Sequence, residues 1–345
     1  MKIRSVSVSG LFNEFDYELA LNPDLTFIHS PNGCGKSTLM HMVYSILRGD
    51  TEYLRDVPFS RLDIKFDDDS ALIVENTPGK MLIQMQKNEL ESPVTEEELE
   101  DIADVVYLPP ERLTVRKKDG HLVNALEFCA QELYETIRRA KDDNKLIPHT
   151  GDRKELSNSD LEFWCKDLKA KLDFVKDAGF EPEMPNGLRF PPARIDIMEN
   201  RQAFEDLAFS VSDYLDRNYQ LAESVIVFKD IVNNIYLNKT IDVSDSGKLI
   251  VSMNNGTSLP LNKLSSGETQ ILLIFYHILF HTPQGGILII DEPEISLHVS
   301  WQQMLGDYFN DICRVRKVQI LVATHSPQVI HDKWDQAKEM VRTNA

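Results

Sequence analysis

The stretch Ser30-Pro31-Asn32-Gly33-Cys34-Gly35-Lys36-Ser37-Thr38 limits what this chain can fold into more than any other. It follows the apolar run Leu25-Thr26-Phe27-Ile28 and leads into Leu39, Met42, Val43, Ile46 and Leu47, which recur at helical spacing. A strand, a glycine-bearing loop and a helix in that order make a cradle for phosphate. The glycines let successive backbone N–H groups turn toward phosphate oxygens, and the helix start adds its unpaired donors and its dipole. In such a loop Lys36 reaches the β and γ phosphates, and the Ser37 hydroxyl is placed to ligate Mg²⁺. Ser30 stands where the usual pattern has its first glycine, a position that needs a tight turn more than a positive φ. Ser30, Asn32, Gly33, Cys34, Gly35, Lys36, Ser37 and Thr38 are the candidate nucleotide-binding residues of this loop.

A chain of 345 residues admits one large α/β domain or two smaller ones. Its 37 Lys and Arg stand against 55 Asp and Glu, a formal charge of -18, which excludes a surface that wraps DNA throughout but leaves room for one basic edge. Met1-Lys2-Ile3-Arg4 leads into a strand pattern, and no apolar run reaches the roughly 18 residues of a membrane span, so a cytoplasmic protein is expected. Cys34, Cys129, Cys165 and Cys313 are scattered without a CxxC spacing, which suggests neither a zinc site nor a disulfide framework.

Two short β patterns, Ile3, Val6, Val8 and then Leu11, Phe12 and Phe15, Tyr17, Leu19, precede the first central strand and predict an antiparallel flap. Phe15 or Tyr17 could stack on a base, but an aromatic in an alternating strand more often belongs to a core. Leu62–Phe66, Ala71–Val74 and Met81–Met85 read as a meander with turns at Asp67-Asp68-Asp69 and Thr77-Pro78-Gly79. Residues 89–104 are acidic and read as a solvated linker or helix face. Val105–Leu108 is a buried-looking strand stopped by Pro109-Pro110-Glu111-Arg112. From Leu122 the period becomes helical, with one stripe at Leu122, Leu126, Cys129, Leu133 and Ile137 and another at Leu161, Trp164, Leu168, Leu172 and Val175. The pattern resumes from Ile197 to Ile235 without a sustained heptad, which predicts a compact helical lobe or short paired arm. Strands return at Thr240–Val243 and Lys248–Val251, and the central strands Ile287–Ile290 and Val318–Ala323 follow.

The polar clusters at the ends of these central strands fall where open α/β sheets bind ligands. Asp291 can hold Mg²⁺ opposite Ser37, Glu292 can orient or deprotonate an attacking water, and His325 can sense the γ phosphate. Ser265-Ser266-Gly267-Glu268 opens an apolar helix and makes a second anion-binding tip at Ser265, Gly267 and Glu268. Because the phosphate loop already covers one triphosphate, this tip is best used on ATP held by another copy of the chain; taken alone it is an ordinary serine-capped helix.

With these residues in order, the chain resembles the ABC-type ATPase heads of the SMC, DNA-repair and OLD-like ATPases, in particular the compact prokaryotic AAA family ATPases of anti-phage defence operons. The resemblance implies an α/β fold, an ABC-type P-loop ATPase head with an antiparallel β subdomain and an inserted mainly helical lobe. The expected layout is 1–112 and 238–345 for the head and 113–237 for the lobe. It implies Walker A at Asn32 to Thr38, a signature at Leu264 to Glu268 acting in trans, and Walker B at Ile287 to Glu292. Glu292 would be the catalytic glutamate, the D-loop would lie at Ile295–His298, and His325 would be the switch histidine. Lys36, Glu292 and His325 are then the catalytic set, ATP and Mg²⁺ the cofactors, and an ATP-bridged homodimer or larger homo-oligomer the assembly. Such heads carry a Gln where this chain has Pro110-Glu111-Arg112; either Glu111 replaces it or the loop lies elsewhere. OLD-like nucleases add a Toprim module, whereas 20 residues follow His325 here. A nuclease or toxin activity is therefore expected in a separate effector protein, controlled by this ATPase and answering a phage-encoded trigger. An SMC-like DNA-repair or replication ATPase that binds DNA directly is the alternative, and a transporter ATPase is disfavoured by the large interruption before the signature.

Overall fold

Short-range pattern and burial agree along most of the chain. In the computed structural model, which describes residues 1–77, 79–88, 90–116, 122–151, 156–244 and 246–342, the chain opens with β1 (Ile3–Leu11), β2 (Phe15–Ala20), β3 (Leu25–His29), α1 (Lys36–Leu47) and α2 (Thr51–Asp56). A meander follows as β4 (Arg61–Phe66), β5 (Ala71–Thr77), β6 (Lys80–Lys87) and β7 (Leu90–Pro93), then α3 (Glu96–Glu100), β8 (Val105–Leu108), β9 (Thr114–Arg116) and β10 (Leu122–Asn124). Three helices, α4 (Ala125–Asp142), α5 (Asn158–Asp177) and α6 (Arg194–Ile235), precede β11 (Lys239–Val243), β12 (Leu249–Met253) and β13 (Ser258–Leu259). The chain ends with α7 (Ser266–Tyr276), β14 (Ile287–Asp291), α8 (Val299–Arg316), β15 (Gln319–Thr324), α9 (Pro327–Ile330) and β16 (Ala337–Glu339). These elements divide into one unit of Met1–Ala125 with Ser265–Ala345 and another of Leu126–Leu264.

In the first unit two sheets share one core. An antiparallel sheet runs β2-β1-β4-β5-β6-β7, and a parallel sheet runs β16-β3-β15-β14-β8. Every residue of β14 and β15 is buried, as expected of parallel strands covered on both faces. Successive side chains of a strand point to opposite faces. Ile287 and Ile289 of β14, with Leu321 and Ala323 of β15, join the cluster formed by α1 (Leu39, Met42, Val43, Ile46) and the antiparallel sheet (Val6, Val8, Leu62, Ile64). Helix α8 packs on β3 and β15, and the Lys333 side chain crosses it at Gly306, where a Cβ would stand 2.8 Å from that side chain.

The parallel register decides where the chemistry falls. Asp291 is level with Ala323, Ala323 with Ile28, and Thr324 with His29. The loops after β3, β14 and β15 therefore leave the sheet side by side at its C-terminal edge, as does the loop after β8, whose Leu108 is level with Ile290. The turn between β1 and β2 reaches the phosphate loop because β1 bulges between Val8 and Leu11 and then turns through positive φ at Gly10, Phe12 and Asn13.

The second unit is helical with a small sheet. Leu126, Cys129, Leu133 and Ile137 of α4 are buried, as are Leu161, Leu168, Leu172 and Val175 of α5. Leu122, expected at the head of the α4 stripe, instead lies in β10 and is 63% exposed; its partner across the hairpin, Arg116, sets a two-residue period there, not a helical one. Helix α6 covers the apolar run from Ile197 to Ile235 and is interrupted at Asn200, whose φ of -144° and ψ of 57° are not helical, so that a short first segment meets a longer second one across a kink. Arg201 bonds Asn158, Trp164 meets Phe209 at 4.9 Å and Phe174 stacks on Tyr219 at 5.2 Å. Since both residue numbers rise together, α5 and α6 run parallel, the segment between them returning along the pair. Residues 238–264, assigned from the sequence to the head, fall in this second unit, where Asn233 of α6 bonds both backbone groups of Ile241. Thr77 and Gly79 of the predicted turn are described, whereas Pro78 and Glu89 lie outside the described residues. Among the described residues no helix is long and apolar enough to cross a membrane.

Candidate nucleotide site

The phosphate loop is shaped by two left-handed glycines. Gly33 has φ 82° and Gly35, which precedes α1, has φ 79°. At Gly35 there is no room for more than hydrogen, because a Cβ would stand 3.0 Å from Leu11 and 3.1 Å from the Phe12 ring. No side chain caps α1, and its first turn holds no acidic residue, so no carboxylate competes for its N-terminal donors. From below, the Tyr17 hydroxyl donates to the Cys34 carbonyl at 2.9 Å. Tyr17 is stacked on Phe15, and both are buried, with the Arg342 guanidinium 4.3 Å from the Phe15 ring centre. These two aromatics thus support the loop from the core. Phe12, 41% exposed, is the aromatic that lines the cleft above it.

That cleft has a volume of about 600 Å³ and is walled by Phe12, residues 31–38, Glu292 and His325. Lys36 is only 3% exposed. Its Nζ lies 3.0 Å from Nε2 and 3.1 Å from Nδ1 of His325, and Nε2 lies 3.0 Å from the Glu292 carboxylate. Burial pulls the Lys36 ammonium below the usual lysine range, opposed by the carboxylates of Asp291, Glu292 and Glu294. An anion delivered to the cleft would relieve that penalty. Ser30 takes part through its carbonyl, 3.1 Å from His325 Nδ1, while its hydroxyl turns to the Pro31 carbonyl.

Asp291 is fully buried. Its Oδ2 accepts from the Tyr107 hydroxyl at 3.2 Å, whereas Oδ1 is buried with no hydrogen-bond partner among the described residues. An orphaned carboxylate oxygen at this edge, with Ser37 on the cleft wall, fits a divalent cation bound by oxygen ligands. Glu292 adopts φ 47°, a left-handed conformation that a side chain disfavours. Its N–H donates to the Ala323 carbonyl at 2.8 Å.

Four residues that sequence reasoning passed over complete the site. Glu294 Oε1 accepts from Thr324 Oγ1 at 2.7 Å, His325 N–H at 2.8 Å and Ser326 N–H at 3.1 Å, which fixes the loop that carries the histidine. Tyr107, at the end of β8, orients Asp291, and Gln270 of α7 is buried beside it. Arg112 is 5% exposed; its guanidinium donates to the Gln270 side chain, to the Asp291 carbonyl at 3.3 Å and to the Glu292 carbonyl at 2.8 Å. Burial pulls Arg112 down to about 10 against nearby carboxylates. Glu111, the expected stand-in for a Q-loop glutamine, is exposed, and it is the next residue that turns inward. A double proline before Arg112 is the one hint in the sequence, since it ends β8 at the sheet edge and leaves the following side chain to point along it.

Ser265, Gly267 and Glu268 do not line the cleft. Ser265 accepts from the Glu268 N–H at 3.3 Å while its own N–H donates to the Glu268 carboxylate at 2.8 Å, a capping box at the start of α7. Gly267 is required by packing, because a Cβ there would stand 2.6 Å from the Ser296 carbonyl oxygen.

The fold and cleft agree with what the chain is similar to. The AAA ATPase domain family AAA_15 matches residues 166–330, which include Asp291, Glu292 and His325. The crystal structure of an SmcHead bound to the C-winged helix domain of ScpA superposes with a TM-score of 0.50 at 12% identity, covering 99% of this chain and 95% of that one. This chain thus has an Smc head-like, mixed α/β fold. Among curated proteins, the retron Ec83 probable ATPase of Escherichia coli is 40% identical over 98 residues, 24% of this chain and 17% of that protein. A probable iron chelatin transport ATP-binding protein of Helicobacter pylori (strain ATCC 700392 / 26695) is 31% identical over 70 residues, 20% of this chain and 26% of that protein. The chain therefore spans about a sixth and about a quarter of those relatives' lengths.

Gly35→Ala tests the cradle. A Cβ at a left-handed position costs about 1–2 kcal/mol, and the loop can relieve it only by leaving this conformation. Nucleotide affinity is expected to fall by about tenfold in a calorimetric titration, and an unchanged affinity would contradict the geometry.

Proposed function

We propose that this chain binds and hydrolyses ATP and thereby controls a separate effector protein in anti-phage defence. The observation that carries the catalytic part is the convergence of Lys36 and Glu292 on His325, each 3.0 Å from its Nε2, on a cleft walled by the phosphate loop. In this reading Lys36 neutralises the β and γ phosphates, Glu292 orients and deprotonates the attacking water, and His325 contacts the γ phosphate in place of its present contact with Lys36. Ser37 and Asp291 would hold Mg²⁺, which when bound supplies charge to the phosphate oxygens.

Assembly follows from the start of α7. Ser265 lies off the chain's own cleft and is exposed, which supports its use on ATP bound by a second copy. The similarity to a retron ATPase supports the defence setting. An effector of nuclease or toxin type, released or activated on a phage trigger, would then dock on the chain, and the second unit offers Phe163, Ile195 and Met198 as exposed apolar side chains for such a contact. The net charge of -18 favours a protein over a nucleic-acid partner.

Three measurements check this reading. Lys36→Ala is expected to lose tight ATP binding, and parental affinity would remove the phosphate loop from its role. Glu292→Gln is expected to bind ATP with parental affinity and to lose about 10²-fold or more in turnover; full steady-state hydrolysis would exclude Glu292 as the base. Adding Ser265→Arg to Glu292→Gln addresses the assembly. The loss of a cap costs about 1 kcal/mol, too little to unfold the chain, so the double variant should bind ATP yet stay monomeric in sedimentation while Glu292→Gln alone pairs. Equal ATP-dependent pairing of the two would overturn action in trans.

A further inference from the structure

The backbone at Glu292 is held from two directions. On one side its N–H is bonded to Ala323 of β15 at 2.8 Å; on the other its carbonyl is bonded to Arg112 at 2.8 Å. Between these bonds φ is 47°. A single non-glycine residue in such a conformation costs of the order of 1–3 kcal/mol, and it persists only where its surroundings over-determine it. The third constraint is the side chain, whose carboxylate meets His325 at 3.0 Å. Releasing the carbonyl would let the residue return to an extended or right-handed conformation, which swings the carboxylate away from the cleft.

The guanidinium does more than hold one carbonyl. Its Nε donates to Gln270, a residue 1% exposed on α7, while the two terminal nitrogens take the carbonyls of Asp291 and Glu292. Three acceptors around one head group suit the donor fork of a guanidinium. Gln270 lies five residues along the chain from Ser265, in the same helix. Arg112 is thus a rigid strut between the helix that begins at Ser265 and the strand end that carries Asp291 and Glu292. Its burial follows from that position: the strut is closed off from water, so an unpaired arm would leave a charge or a carbonyl without a partner.

We propose that Arg112 is a positioning residue for hydrolysis, fixing the Glu292 main chain in its left-handed conformation and, through Gln270, tying that conformation to α7. This rests on Glu292 acting on the attacking water. Within it, a displacement of α7 alters the aim of the carboxylate in the same chain, so that whatever engages the start of the helix is felt at the chain's own cleft. Arg112 has no contact with the cleft and takes no part in holding nucleotide.

The test separates turnover from binding. Arg112→Met keeps the length of the side chain and removes all three donors; Arg112→Lys keeps the charge but cannot reach three acceptors at once. ATP affinity should stay within about threefold of the parent for both. kcat, normalised to the nucleotide-binding fraction, should fall by about 10²-fold, the loss expected for a carboxylate displaced by about 1 Å. Gln270→Met, which leaves the two carbonyl bonds intact, should lower kcat less and, combined with Arg112→Met, add little to it, since both act through one strut. If Arg112→Met does not fold, the kcat and affinity of Arg112→Lys and Gln270→Met decide the question on their own. A normalised kcat within twofold of the parent in the folded variants overturns the proposal, as does a loss of affinity equal to the loss of turnover. Glu292→Gln is measured beside them: if it hydrolyses ATP at the parental rate, the assignment of the base fails, whereas a dead Glu292→Gln with an active Arg112→Met refutes the strut alone.

Discussion

Burying the ammonium of Lys36 is the constraint on which the site is built. A charge removed from water must find partners or lose its proton, and here the charge and the groups that face it stand at three neighbouring strand ends. Glu292 follows β14, His325 follows β15, and the loop that holds Lys36 follows β3. Only a parallel register that brings Asp291, Ala323 and Ile28 level puts those loops within reach of one another. The register in turn depends on strands buried on both faces, which is why β14 and β15 are apolar from end to end apart from the residues that end them and Gln319, whose amide is taken up by Ile3 and Asn22. Core and chemistry are therefore not separate requirements in this head: the same five-residue run that fills the interior delivers Asp291.

What the sequence made legible follows from this. Long apolar runs and their terminal polar residues are local signals, and the central strands, α1 and the meander could be located from them. The loop from Ser30 to Thr38 was legible for the same reason, because its conformation is dictated by glycines within it. Contacts made across the chain were not. Phe15 and Tyr17 alternate as any strand aromatics do, and nothing local says that Tyr17 ends beneath the Cys34 carbonyl. Phe12 looked like part of the strand, yet a bulge and three positive φ angles carry it over Gly35. Leu122 was read at helical spacing because it stands four residues before Leu126; pairing with β9, a partner six residues away in sequence, decided its fate.

The same distinction explains Arg112. At the level of sequence Glu111-Arg112 is a charged pair at a strand end, where solvent is the ordinary environment. Its burial requires three acceptors supplied by residues 158 to 180 positions away, and no window of sequence contains that information. Residues 238–264, expected with the head, group with the helices for a comparable reason. Short alternating strands look like the edge of the head, but Asn233 at the end of α6 satisfies both backbone groups of Ile241 and thereby attaches the small sheet to the helices.

The two helix starts singled out by the sequence differ in a way that bears on how such a head works. At α1 the donors are left uncapped and the neighbouring side chain is a lysine. At α7 they are taken by Ser265, and the Glu268 carboxylate lies against the Ser265 N–H and hydroxyl. The first end is ready for an anion at all times. The second carries its own negative charge, so a phosphate approaching it meets repulsion unless Glu268 gives up its bonds to Ser265. Under the function proposed above, α7 would engage ATP only when that ATP is already held and neutralised by Lys36 and a cation on the other copy, since free triphosphate carries too much charge to displace the cap. Gly267, closed against the Ser296 carbonyl, would fix the helix start during such an exchange. Under that proposal a serine that caps its own helix is no argument against action in trans: the cap would be the state of the separate head, and its release would make pairing conditional on loaded nucleotide.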